Sequence, residues 1–138
     1  MRVLALLLIS IVALIGVPGF AAEPDCKRLP LDPEFPAGIA GTYEVIGKHS
    51  DGPAYSGTLT LGYGKSRYRV VHTVQGRSAK GTAWFSECGM DKIGALSVRL
   101  ETKPVVEMSC KVGGDGDNYY RMTCRTTQGI EAWFQQHE

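Results

Sequence analysis

His72 is the side chain best suited to acid-base work in this sequence, because an unperturbed histidine changes charge close to neutral pH. A general base also needs a nucleophile or an orienting carboxylate converging on it. The run that follows His72 supplies Lys80, Thr82 and Ser86, with no carboxylate before Glu87. His49 and Asp51 are close in sequence, but Ser50-Asp51-Gly52-Pro53 is a turn, and turn formation accounts for Asp51. No G-x-S-x-G elbow occurs. The residues therefore predict no catalysis, and His72 reads as a satisfied interior histidine.

Two turns imitate ligand sites. Gly62-Tyr63-Gly64-Lys65-Ser66 ends like a phosphate-binding loop, yet the motif's first glycine falls on Leu59, and a strand follows where a helix N-terminus is needed. Asp115, Asp117 and Asn118 offer hard oxygens to Ca²⁺, but the place of the bidentate glutamate, counted from Asp115, holds Thr126. Both read as hairpin turns. Cys26, Cys88, Cys110 and Cys124 include no pair closer than fourteen positions, which argues against a zinc site. No metal and no cofactor is expected.

The cysteines find their use in the compartment. Arg2, an apolar run over residues 3–17 and Pro18-Gly19-Phe20-Ala21-Ala22 read as a secretory leader over residues 1–21, cut after Ala21. Such a run is shorter than the roughly 20 residues that span a bilayer, so no membrane anchor is expected. An even number of cysteines in an exported chain reads as two disulfides. The chain carries 15 Lys and Arg against 14 Asp and Glu, and loss of Arg2 with the leader balances them. That balance disfavours a nucleic-acid partner, which usually demands a basic surplus. The predicted localisation is a bacterial periplasm or the outside of the cell.

From Gly41 onward apolar residues recur at every second position between glycine-bearing turns, the pattern of antiparallel strands. Eight runs are predicted: residues 42–46, 55–61, 67–74, 81–88, 96–101, 105–112, 119–126 and 130–135. Eight short strands, each apolar on one face, leave bare edges in a flat sheet and lose them on closing into a barrel. The expected fold is all-β, an eight-stranded antiparallel up-and-down meander barrel over residues 41–138, with a two-sheet β-sandwich as the alternative. Residues 22–40, rich in proline, form an extended lead-in tied down by Cys26. A hairpin of the sixth and seventh runs sets Cys110 opposite Cys124, Val112 opposite Met122 and Gly114 opposite Tyr120. Four cysteines permit three connectivities; directly opposed residues are near enough to bridge, so this register favours Cys110 with Cys124 and Cys26 with Cys88 among them.

The same alternation sorts the faces. Tyr43, Tyr55, Tyr68, His72, Met108, Tyr120 and Met122 point inward and would line any interior ligand site. Arg67, Arg69, Arg99, Arg121 and Arg125 point outward, with Trp84 and Trp133 nearby; the last run sets Ile130, Ala132 and Phe134 inward. Arginine with tryptophan is the composition of interface hot spots, so Arg67, Arg69, Trp84 and Trp133 form the candidate partner-binding patch.

G-T-Y-E-V (41–45), Y-S-G-T-L-T-L (55–61), Y-R-V-V (68–71) and K-G-T-A-W (80–84) resemble the first half of the lipocalin and avidin-like meander barrels. The chain departs from the G-x-W opening of lipocalins at Tyr43. The resemblance implies a binding module. Two roles are expected of it: binding a protein partner in the envelope or outside the cell, with inhibition as one form of that role, or carrying a small apolar ligand inside the barrel.

Overall fold

The computed structural model describes residues 26–31, 38–90, 93–115 and 119–136. The leader with its cleavage point, Asp117 and Asn118 lie outside the described residues. The elements are β1 (Cys26–Arg28), β2 (Gly41–His49), β3 (Ala54–Tyr63), β4 (Tyr68–Val74), β5 (Arg77–Cys88), β6 (Ile93–Leu100), β7 (Val106–Asp115), β8 (Tyr119–Thr126) and β9 (Gly129–Gln135). Among the described residues no helix is long and apolar enough to cross a membrane.

Period-two patterning explains the strands. In β2, Tyr43, Val45 and Gly47 are buried while Glu44, Ile46 and Lys48 are exposed. In β8, Met122 and Cys124 are buried between exposed Arg121, Thr123 and Arg125. A one-residue slip would turn each set to the wrong face, so this alternation fixes register wherever one face is buried.

Each strand from β2 to β9 pairs antiparallel with the next, and β9 returns to β2 over Tyr43↔Gln135 to His49↔Gly129. The sheet is a closed eight-stranded up-and-down barrel, and the sandwich alternative is set aside. One strand was not expected: part of the lead-in becomes β1. Its place is made by the length of β5, whose residues 77–83 pair with β4 while Ser86, Glu87 and Cys88 pair with β1.

Both disulfides join directly opposed residues, Cys26 with Cys88 and Cys110 with Cys124. The β7–β8 register is the expected one, and the ladder runs one pair further, to Asp115↔Tyr119. Two cross-links of this kind mark a chain that folds under oxidising conditions. The β4–β5 hairpin closes on Gln75 and Gly76, with φ of 51° and 72°. Two successive left-handed residues are what a two-residue turn needs to follow the twist of the flanking strands, and glycine adopts that geometry without strain.

The core is the barrel interior. Tyr43, Val45, Leu59, Leu61, Tyr68, Val70, Leu96, Val98, Met122 and Trp133 are buried there, joined by Ile39 from the lead-in. Trp133 therefore departs from the expected outward placement. The last strand faces the opposite way: Glu131 and Trp133 point in, while Ile130 is 56% exposed. The physical reason is that Trp133 buries a larger apolar surface than Ile130, and Glu131 is met inside by donors, as described next.

Candidate functional site

Glu131 lies on β9 inside the barrel, 3% exposed. Its carboxylate accepts hydrogen bonds from the Tyr55 hydroxyl at 2.8 Å and the Trp133 indole Nε1 at 2.7 Å. His72 Nε2 lies 3.2 Å away. The three partners come from β3, β9 and β4, so the group spans the seam where the barrel closes. Burial alone would raise the Glu131 pKa; the hydrogen bond and charge of His72, then the bonds from Trp133 and Tyr55, outweigh it and hold the carboxyl below its ordinary value. Burial first, and then Glu131, pushes the Tyr55 hydroxyl up.

Tyr55 reaches Glu131 over Gly47. The register runs Tyr55↔Gly47 and Gly47↔Glu131, and a Cβ on Gly47 would stand 2.3 Å from Cζ of Tyr55. The absent side chain is the space the ring uses. His72 is thus interior and satisfied, as expected, but its partner is a carboxylate that the expected facing of the last strand turns to solvent. The signal was present in the β8–β9 turn: closing it on Thr127 and Gln128 sets Ile130 opposite outward Arg125.

Strand direction puts Tyr63, Tyr68, Tyr120 and Gln135 at the opposite end of the barrel, near the start of β2. Tyr43 and Tyr68 are fully buried there, with Tyr120 partly buried against the core. The Tyr63 and Tyr68 rings stand 5.8 Å apart, and Phe85 meets Tyr68 edge-on. Burial raises the Tyr43 pKa, and the neighbouring hydroxyls of Tyr120, Tyr68 and Tyr63 add to it. Met122 is buried one inward position further along β8, and Met108 is buried near the start of β7, toward the other end of the barrel; both face inward, as their alternation implied.

The outer face gathers around Trp84 on β5. The Arg28 guanidinium lies 4.0 Å from the centre of its ring and that of Arg67 5.5 Å. Such cation–π contacts hold the ring and both cations in place. Arg69 lies in the adjacent row, Arg69↔Thr82↔Arg99, and the Arg99 end of that row is neutralised by Glu107 at 2.7 Å. Among the described residues no carboxylate forms an ion pair with Arg28, Arg67 or Arg69. The structure thus places Arg67, Arg69 and Trp84 on one surface, removes Trp133 from it, and adds Arg28, which an extended lead-in tied only through Cys26 does not bring there and the pairing of β1 with β5 does. Arg121 and Arg125 are exposed on β8, Arg121 lying over Phe134.

No family model and no curated protein matches this chain. Solved structures do. A redesigned β-barrel is similar over 72% of this chain and 92% of its own, with a TM-score of 0.52 at 14% identity. A second redesigned barrel, bound to DFHBI, has a TM-score of 0.52 at 13% identity over 71% of this chain and 98% of its own. A de novo designed fluorescence-activating barrel has a TM-score of 0.50 at 13% identity, covering 71% of this chain and 93% of that one. At such identity the likeness is one of fold: this chain is a small closed β-barrel.

Proposed function

We infer that this is an exported, non-catalytic binding module of a bacterial periplasm or extracellular space, which takes an acidic segment of a protein partner on the face around Trp84. The observation that carries the inference is the half-buried outer Trp84 under Arg28 and Arg67, beside Arg69, with no described carboxylate paired to those three cations. Guanidinium groups bind carboxylates through paired hydrogen bonds, and a ring that already fixes them lowers the ordering cost of doing so. The Cys26–Cys88 bridge adds to that preorganisation by fastening β1, and with it Arg28, beside β5.

The test is capture from an envelope extract by the wild-type chain, followed by affinity measurement on the recovered protein. Trp84→Ala should weaken binding by about thirtyfold, equivalent to about 2 kcal/mol, with the barrel's circular dichroism unchanged. Arg69→Ala should weaken it less and reduce its salt sensitivity. Equal affinity for wild type and Trp84→Ala would sink this role.

A second reading, carriage of a small apolar ligand, draws support from the tyrosine and methionine interior. The resemblance to lipocalin and avidin-like barrels and the DFHBI-bound redesigned barrel point the same way. Because the interior side chains pack into one cluster, a ligand would have to displace something already there.

A further inference from the structure

Ile39 belongs to no strand, yet it is fully buried and packs in the same cluster as Tyr43 and Tyr68. Its carbonyl accepts a hydrogen bond from the Tyr43 hydroxyl. Gln135 Nε2 donates to the Ala40 carbonyl at 3.2 Å and lies 3.5 Å from that of Gly38. A Cβ on Gly38 would meet the Tyr120 ring at 3.7 Å, so the segment passes close to that ring. A short irregular segment is therefore held by a few polar contacts and one apolar side chain, inserted at the tyrosine-rich end of a barrel that closes without it.

These contacts have the anatomy of an occupied ligand site: a branched aliphatic body against aromatic walls, an acceptor oxygen on a phenol, and a side-chain amide holding both flanks. We propose that the tyrosine end is a binding site for a small aliphatic carbonyl compound, which Ile39 occupies in the ligand-free protein. Ligand entry and release of residues 38–40 are then one event. The ligand class follows from the occupant, an aliphatic group with a carbonyl placed to accept from Tyr43. The inference rests on the carrier reading and adds what keeps the site shut. It also accounts for reversibility, since Ile39 stays joined through Ala40 to the start of β2 and is therefore kept at high effective concentration beside the mouth. A ligand must compete with that tethered side chain, so its apparent affinity is lowered by the fraction of molecules in which the segment is out.

The experiment is an NMR titration of the oxidised chain with 3-methylpentanamide, a compound carrying the isoleucine side chain and a carbonyl. Ile39→Gly should bind it about tenfold more tightly than wild type, because the competing side chain is gone. In the wild type, saturation should shift the amides of residues 38–40 and Tyr120 and speed their hydrogen exchange. If Ile39→Gly does not fold, Ile39→Ala makes the same comparison with a smaller gain. Equal affinity in wild type and variant, or binding that leaves residues 38–40 unmoved, overturns the displaced-segment inference and leaves the carrier reading standing. Two folded proteins that both ignore the probe overturn the inference and the carrier reading together.

Discussion

A carboxylate sealed inside a barrel persists because donors replace the water it has lost, and at Glu131 the donors are Tyr55, Trp133 and His72. The Glu131 pKa is lower in the folded protein than its ordinary value, so the folded state binds this proton less readily than the unfolded one. Its contribution to stability is therefore complete above the unfolded pKa of about 4.3 and disappears as pH falls through the folded value. Urea unfolding from pH 7 downward should show stability declining below about pH 5, with a shallower decline in Glu131→Gln. At pH 7 the same variant should lose about 1–3 kcal/mol, since the amide satisfies the three partners less well than the carboxylate. An acid limb identical in wild type and Glu131→Gln would mean that another group carries the pH dependence.

At the level of elements, β9 is held by more than its ladder. Tyr55 crosses from β3 over Gly47 on β2 to reach it, so three neighbouring strands share one contact. Gly47→Ala places a methyl group where that ring lies and should cost about 2–3 kcal/mol, through overpacking together with the lost bond to Glu131. In a Tyr55→Ala background most of that cost should vanish, and a double-mutant cycle in urea measures the difference. Seven of the eight barrel strands were legible with their facings because polar and apolar residues alternate plainly, as in Leu96, Val98 and Leu100 against Arg99. The Cys110–Cys124 pairing was legible for the same reason, as facing and register together set the two residues opposite each other. β9 misled because it carries apolar residues on both faces and a glutamate on the inner one. Counting apolar residues favours Ile130, Ala132 and Phe134, whereas burial rewards the area of Trp133 and the partners waiting for Glu131. Arg28 escaped the patch because no periodicity in a three-residue strand announces it.

Across the whole molecule, the cross-links divide the chain into parts that feel a mechanical load and parts that do not. A pull applied ahead of Cys26 and at the C-terminal end of β9 enters the barrel through Cys88, so the chain between the two cysteines, a sequence separation of 62, lies outside the load path. The span of 14 between Cys110 and Cys124 is bypassed as well. The strands carrying His72, Tyr55 and Tyr43 then bear no direct tension, although Glu131, the partner of His72 and Tyr55, does. Stretching single oxidised molecules should release a short contour length. Reduction should lengthen it by roughly 270 Å at about 3.5 Å per residue. Equal lengths before and after reduction would show that the bridges do not shield these spans. Loaded at its two ends, such a chain is strained there while the first half of its barrel keeps its shape.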